Sequence, residues 1–327
     1  MDRRQFLATT AAAALAQSAP GLAQTPAAPA VKTVRTAVLE IGYHERGPAK
    51  GVPVVLLHGF PDDAHAYDRV APAVAAAGYR VLSVYLRGYG PTRFLDPAAP
   101  RLAEQAAIGQ DVVDFADALG LGRIAVCGYD WGGRAAAIAA ALHPERVRAA
   151  VLCGGYTIQN TVTPAPPAPP RAVRNGWYQW YFNTEVGRQG LAKNRRALCR
   201  FMWEEWSPTW RFDDAEYDQA AASFDNPDFV DCVIHSYRHR NFNAAGEARF
   251  LDIEQRLAAR PPIAVPTVIL HGRDDGFGPP AAETTPAERQ LFPQLVARRV
   301  VAGGHFLPRE APADVAAALL EALAASG

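Results

Sequence analysis

The sequence predicts an α/β fold with a mostly parallel, doubly wound sheet and an inserted helical region. Short apolar runs, of the kind buried in parallel sheets, alternate with longer segments that have helical apolar spacing. This alternation stops at residue 157 and resumes near residue 251, and five of the six tryptophans lie in that interval. Strands that alternate with helices form a parallel sheet covered on both faces, which gives the predicted class.

The apolar runs also give the order of the elements. Strands are predicted at residues 31–44 (one or two), 52–57, 79–85, 123–127, 147–153, 266–270 and 296–301, and helices at 64–77, 102–119, 135–142, 283–291 and 311–324. We therefore predict an α/β core at residues 31–156 and 251–327, and a helical cap at residues 157–250. The cap begins with a stiff, proline-rich tract at residues 163–170.

Composition excludes several classes of function. The chain has 327 residues and 49% hydrophobic residues, which is enough for one large core with an insertion. Its 33 basic and 33 acidic residues balance, so no nucleic-acid partner is expected. No segment of the predicted core or cap approaches about 20 apolar residues, so no integral membrane span is predicted. No metal-binding or nucleotide-binding motif is present, and no cofactor or metal is expected.

The N-terminus has the pattern of an export signal. Arg3 and Arg4 precede Phe6 and Leu7, an alanine-rich apolar run follows, and small residues lead to Gln24. A charged head, an apolar middle and a small-residue cleavage site make a signal peptide. The paired arginines resemble a twin-arginine signal. We assign residues 1–24 to such a signal, and we expect a periplasmic or secreted protein that uses the twin-arginine export machinery.

The four cysteines fall into two groups. Cys127 and Cys153 lie in predicted core strands, where they are most simply buried thiols. Cys199 and Cys232 lie in the cap, and whether they pair stays open, because a twin-arginine substrate folds before export and needs no disulfide.

One turn gives the first indication of chemistry. Gly128-Tyr129-Asp130-Trp131-Gly132 follows a predicted strand and precedes an alanine-rich helix. The pattern G-x-D-x-G is the nucleophile elbow of the α/β-hydrolase fold, with Asp130 in place of serine. Small flanking residues let the backbone turn tightly around a strained central residue, whose side chain then projects above the sheet edge. The alternative is a strand-to-helix turn with an aspartate N-cap.

Four further positions complete a hydrolytic constellation. In this fold the turn at residues 58–61 supplies one oxyanion donor, the backbone N–H of Phe60, and the residue after the nucleophile, Trp131, supplies the other. His305 follows the last predicted strand, where the fold places its base. The acid that orients the base should follow the preceding strand; we choose Asp275, with Asp274 as the alternative.

An aspartate nucleophile restricts the reaction. A carboxylate is a poor nucleophile toward esters, because the resulting anhydride reverts, but it displaces well at a saturated carbon and forms an alkyl ester. Water activated by His305 and oriented by Asp275 then hydrolyses that ester. The substrate is therefore expected to carry an electrophilic carbon with a leaving group, either an epoxide or a halide.

Three motifs resemble the α/β-hydrolase-fold epoxide hydrolases, which have haloalkane and haloacetate dehalogenases as close relatives. The motifs are the turn at residues 58–61, the elbow at residues 128–133, and Gly303-Gly304-His305-Phe306. The resemblance covers essentially everything after Val31 and implies that the chain opens an epoxide to a vicinal diol. Tyr129 departs from that family, which usually has histidine before the nucleophile.

The resemblance also implies two proton donors in the cap. In that family two tyrosines donate to the epoxide oxygen, and we map them to Tyr178, with Tyr181 as its rival, and to Tyr237. The aromatic cap suggests a small apolar substrate. Two alternatives remain. One is a dehalogenase, for which Arg134 resembles the carboxylate-binding arginine of haloacetate dehalogenases. The other is a non-catalytic ligand-binding protein on a hydrolase scaffold.

Overall fold

The computed structural model of the chain describes residues 29–327. The predicted signal peptide, residues 1–24, lies outside the described residues, so export stays a prediction. Within residues 29–327 no helix combines the length and the hydropathy needed to cross a membrane.

The strands begin and end close to the predicted apolar runs. They are β1 (Lys32–Arg35), β2 (Leu39–Arg46), β3 (Pro53–Leu57), β4 (Arg80–Val84), β5 (Arg93–Phe94), β6 (Ile124–Tyr129), β7 (Val147–Cys153), β8 (Thr267–Gly272) and β9 (Leu295–Val301).

The helices fill the intervals between the strands. They are α1 (Ala71–Ala76), α2 (Gln105–Ala118), α3 (Asp130–Leu142), α4 (Pro170–Asn175), α5 (Trp177–Phe182), α6 (Glu185–Trp206), α7 (Asp214–Ala221), α8 (Phe229–Arg240), α9 (Leu251–Ala258), α10 (Pro286–Leu291), α11 (Leu307–Glu310) and α12 (Pro312–Ala324). Short 3-10 helices lie at Ala64–Tyr67, Ala222–Asp225 and Ala248–Phe250.

One predicted helix is divided. The sequence predicted a continuous helix over residues 64–77, but the structure has a 3-10 turn and then α1. The Asp63 side chain accepts a hydrogen bond from the His65 N–H and caps the first turn. Pro72 lies at the start of α1, where a residue without an N–H is tolerated. Each piece therefore has its own start signal, which apolar spacing alone does not reveal.

The nine strands form one mostly parallel sheet, as predicted. Its order is β1-β2-β4-β3-β6-β7-β8-β9, with β5 paired to β2. From β4 to β9 all neighbouring pairs are parallel, and only β1, β2 and β5 make antiparallel pairs. The carboxyl ends of β3, β6, β7, β8 and β9 consequently lie along one edge, where ligand sites of such sheets form.

Within the described residues, helices and no strand occupy the interval between β7 and β8. This helical region is attached to the core by hydrogen bonds. The Trp203 indole N–H donates to the Pro61 carbonyl at 2.7 Å, and the Ser223 hydroxyl donates to Asp63 at 2.7 Å. Cys199 and Cys232 are both buried free thiols, so they do not form a disulfide.

The turn between β6 and α3 is tight because two glycines approach other backbone atoms closely. A Cβ on Gly132 would lie 2.1 Å from the Leu57 carbonyl oxygen, and one on Gly128 would lie 2.2 Å from the Gly132 oxygen. No side chain fits at either position, whatever its backbone conformation. Asp130, between them, has a φ of 49°, which is strained for a residue that is not glycine.

We expect Gly132→Ala to lower the free energy of unfolding by about 3 kcal/mol, because the added methyl group forces β3 and β6 apart. Gly122→Ala is the matched control, since a Cβ there meets no heavy atom within 4 Å. Urea denaturation of both variants measures the difference. Equal stability of the two variants would contradict the proposed close approach.

Candidate active site

Three predicted residues meet at the carboxyl edge of the sheet. His305 lies between two carboxylates: its Nδ1 is 3.1 Å from Asp275 Oδ2, and its Nε2 is 3.7 Å from Asp130 Oδ2. Asp130 begins α3, Asp275 follows β8, and His305 follows β9. Asp274, the alternative acid, instead accepts a hydrogen bond of 3.4 Å from Thr209. The arrangement is that of a nucleophile, a base and an acid that orients the base.

The charges of these residues stabilise one another. Burial on its own lowers the pKa of His305, but the carboxylates of Asp275 and Asp130 outweigh it and raise this pKa to about 10. Burial on its own raises the pKa of Asp130, but the nearby positive charge of His305 outweighs it and holds this pKa below its usual range. At neutral pH the resting site therefore holds an anionic Asp130 beside a protonated His305.

The predicted oxyanion turn contacts Asp130 directly. The backbone N–H of Phe60 donates to Asp130 Oδ1 at 2.8 Å. This approach requires Gly59, because a Cβ there would lie 2.5 Å from the Asp130 Cβ. No hydrogen bond joins the Trp131 N–H to Asp130 among the described residues. Phe60 is therefore the donor already in contact with Asp130, and Trp131 remains a predicted one.

The predicted tyrosines lie together in a buried cluster of aromatic rings beside Trp131. The ring centroids of Tyr178 and Tyr237 are 5.3 Å apart, and that of Tyr237 is 5.8 Å from Trp131. Within the described chain, the Tyr237 hydroxyl and the Trp131 indole N–H are buried without a hydrogen-bond partner. The Tyr178 hydroxyl accepts from Gln179 at 3.3 Å, which leaves its own proton available. Both phenols and the indole can therefore donate to a ligand.

Both phenols hold their protons firmly. Burial raises the pKa of Tyr178 to about 12, and the charge of Asp130 adds to the effect. Burial likewise raises the pKa of Tyr237 well above its usual value. Tyr181, the rival of Tyr178, lies elsewhere: a Cβ on Gly190 of α6 would meet its hydroxyl at 2.0 Å. The Tyr181 hydroxyl thus faces another cap helix.

Two residues that the sequence analysis did not single out hold the loop that carries His305, the predicted base. Glu310 accepts hydrogen bonds from the N–H groups of Gly304 and Phe306 at 2.7 and 2.9 Å. The Ser207 hydroxyl accepts from the His305 N–H at 2.8 Å and donates to Glu310 at 2.6 Å. The acidic residue five positions after His305 was the only sequence signal for this arrangement.

A buried ion pair joins the oxyanion turn to the loop of the base. Arg309 Nε is 2.9 Å from Asp62 Oδ2, and the guanidinium lies 4.9 Å from the Trp203 ring. The Tyr129 hydroxyl donates to the same Asp62 carboxylate. Tyr129 immediately precedes the nucleophile, so this residue, which departs from the epoxide hydrolase pattern, ties the elbow to the ion pair.

A second buried arginine lies near the nucleophile. Arg134 is 6% exposed, and its Nε donates to the Thr157 carbonyl at 3.0 Å. Within residues 29–327 no carboxylate forms an ion pair with it. Burial lowers the pKa of Arg134 to about 10, and the charge of Arg240 adds to the decrease. The guanidinium is therefore a buried cation whose counter-charge is incomplete.

Comparison with known proteins agrees with the fold. A profile of the alpha/beta hydrolase fold matches residues 52–312. A crystal structure of a proposed epoxide hydrolase from Klebsiella pneumoniae is similar, with 41% identity and a TM-score of 0.86, and the match covers 90% of this chain and 97% of that one.

Curated relatives match over shorter segments. Bifunctional epoxide hydrolase 2 of Sus scrofa is 37% identical over 139 residues, which are 39% of this chain and 24% of that protein. Haloalkane dehalogenase of Mycobacterium marinum is 34% identical over 130 residues, which are 38% of this chain and 42% of that protein. The chain thus matches less than half the length of these relatives.

We expect Arg309→Met to lower the free energy of unfolding by about 3–5 kcal/mol, because it leaves the Asp62 carboxylate buried without its cation. Arg299→Met is the matched control: it breaks a bidentate pair with Glu321 at the surface, for which we expect a loss of about 1 kcal/mol or less. Chemical denaturation measures both. A loss for Arg309→Met no larger than for the control would contradict the role of the buried pair.

We expect Asp130→Asn to lower the pKa of His305 from about 10, because it removes the carboxylate charge beside Nε2. The raised pKa contributes stability that is fully present below about pH 6.5 and is lost as pH rises through the folded value. Histidine NMR titration measures the shift. Asp274→Asn is the control and should leave the titration of His305 unchanged; an unchanged titration in Asp130→Asn would contradict the coupling.

Proposed function

The chain belongs to the alpha/beta hydrolase fold family, and on this premise we propose that it is an epoxide hydrolase that works through an ester on Asp130. One observation carries the proposal. The Asp130 carboxylate has Oδ1 fixed by the Phe60 N–H at 2.8 Å and Oδ2 directed toward His305 at 3.7 Å. Of its two oxygens, one is held as a future carbonyl oxygen and the other is available for attack.

In the first half-reaction Asp130 Oδ2 attacks an epoxide carbon. The ring C–O bond breaks, and the released alkoxide needs a proton. Tyr237, with its partnerless hydroxyl, and Tyr178 beside it are the donors in this proposal. Their raised pKa values keep both phenols protonated at neutral pH until the alkoxide forms.

In the second half-reaction water hydrolyses the ester. Once Asp130 is esterified its negative charge is gone, so one of the two carboxylates that raise the pKa of His305 no longer acts. His305 then releases its proton more readily and serves as the base, oriented by Asp275. The Phe60 N–H, with the predicted help of the Trp131 N–H, stabilises the oxyanion on the Asp130 carbonyl.

The second candidate is a haloacetate dehalogenase, which uses the same Asp130 attack. The buried Arg134, without a carboxylate partner in the described chain, favours it because an anionic substrate would supply the missing counter-charge. The Trp131 indole does not discriminate between the two candidates, since it also suits a halide. Product analysis therefore has to score both diol and halide.

We expect Asp130→Ala to abolish diol release from styrene oxide and 1,2-epoxyhexane, assayed beside 1-chlorobutane and chloroacetate. His305→Gln should accumulate a covalent ester on the peptide that contains Asp130, visible by mass spectrometry. Tyr237→Phe should lower kcat for epoxides by about 100-fold, since it removes a proton donor.

Tyr181→Phe is the matched control and should leave diol release unchanged, because its hydroxyl faces Gly190. Diol release that survives Asp130→Ala would contradict the mechanism. Halide release from chloroacetate without any diol from the epoxides would favour the second candidate.

A further inference from the structure

The C-terminal end of α6, the longest helix of the helical region, contacts both loops that carry the predicted base and its acid. Ser207, which ends α6, is 1% exposed, and its hydroxyl accepts a hydrogen bond from the His305 N–H at 2.8 Å. The carbonyl of Trp206 accepts from the Gly276 N–H at 2.9 Å, in the loop that carries Asp275. Two consecutive residues of the helical region therefore bind the loop of the base and the loop of the acid.

Two glycines allow these approaches. A Cβ on Gly304 would lie 2.5 Å from the Ser207 hydroxyl oxygen and 2.7 Å from the Ser207 Cα. A Cβ on Gly276 would lie 2.1 Å from the Glu205 carbonyl oxygen. Because these distances are shorter than a van der Waals contact, any side chain at either position would push its loop away from the end of α6.

Glu310 completes the contact on the side of the base. Its carboxylate accepts hydrogen bonds from the N–H groups of Gly304 and Phe306, and also from the Ser207 hydroxyl at 2.6 Å. The Ser207 oxygen takes the N–H group between those two. Three consecutive backbone N–H groups, those of residues 304–306, are thus held by two side chains, and a fully satisfied polar network of this kind is rigid.

The two loops also meet directly where they leave the sheet. The Asp274 N–H donates to the Gly303 carbonyl at 2.9 Å, one residue before Asp275 and two residues before His305. The contacts with α6 lie on the other side of the pair, at His305 itself and at the residue after Asp275. The backbone around the 3.1 Å contact between His305 Nδ1 and Asp275 Oδ2 is therefore held at both ends.

We propose that the end of α6 sets the position of His305 relative to Asp275, with Ser207 as a positioning residue; the inference rests on the ester mechanism proposed above. Ser207 acts through the backbone of His305 and not through the reacting atoms. A displacement of about 1 Å in a catalytic group can cost about 100-fold in rate. In the proposed reaction only hydrolysis of the ester uses His305 as a base, so this step depends on Ser207.

Two variants disturb the contact, one at each loop. Ser207→Ala removes the hydroxyl without changing any charge, and Gly276→Ala pushes the loop of the acid away from α6. Ser326→Ala is the matched control for the first, because its hydroxyl donates to a backbone carbonyl at the end of α12. Gly122→Ala is the control for the second, because a Cβ there meets no heavy atom within 4 Å. Urea denaturation verifies that all four variants are folded.

Histidine NMR titration gives a readout that needs no substrate. The His305 signal is assigned by its absence in His305→Gln. The pKa of His305 is raised to about 10 chiefly by the charge of Asp275, so a displacement from Asp275 lowers it. We expect Ser207→Ala and Gly276→Ala each to lower this pKa by about 0.5 or more, and both controls to leave it unchanged.

Single-turnover rapid-quench experiments with styrene oxide separate ester formation on Asp130 from ester hydrolysis. We expect Ser207→Ala and Gly276→Ala to slow hydrolysis about tenfold or more while formation stays within about twofold, so that the ester accumulates. The two controls should match the wild-type protein in both steps.

A His305 titration that is unchanged in both variants would overturn the inference. Equal slowing of the two steps would also overturn it, because a general loss of structure gives that result. A shifted titration without diol from any epoxide would refute the epoxide assignment and leave the positioning role standing. The kinetic comparison then uses chloroacetate, since both candidate reactions form an ester on Asp130.

Discussion

The site depends on how closely two backbone turns approach each other. β3 and β6 are parallel neighbours, so the turns after them leave the sheet side by side. Gly59 and Gly132 remove the side chains that would hold these turns apart. The contact brings the Phe60 N–H to Asp130 Oδ1, and Asp130 has a left-handed backbone conformation there. The base, the acid and the aromatic wall are all arranged around this pair.

Two buried ion pairs near that contact have different roles. The Asp62–Arg309 pair is fully enclosed and structural, since it connects the oxyanion turn to the helix that follows the base. The His305 pair with Asp130 changes during the proposed reaction, because ester formation removes one of its charges. A buried ion pair thus fixes the geometry at Asp62 and Arg309. At Asp130 and His305, in the proposed mechanism, it makes ester formation precede the step in which His305 acts as a base.

Local patterns predicted the sheet and the three residues that follow its strands. β7 was predicted at its observed bounds, and Asp130, Asp275 and His305 each lie where the fold places its function. β5 was not predicted, because two residues paired to β2 carry no local signal. The Asp62–Arg309 pair spans 247 positions and depends on the tertiary fold, so no spacing in the sequence reveals it.

The helical region is attached to the core at several points. Trp203, Ser207 and Ser223 bond to the oxyanion turn and to the loop that carries His305. In α8, His235 accepts a hydrogen bond from the Ala103 N–H, and the same helix supplies Tyr237. α8 therefore both anchors the helical region and carries a proton donor of the proposed mechanism. A substitution in α8 that changes substrate preference is expected to change the rate of proton donation as well, so selectivity and chemistry are coupled in this helix.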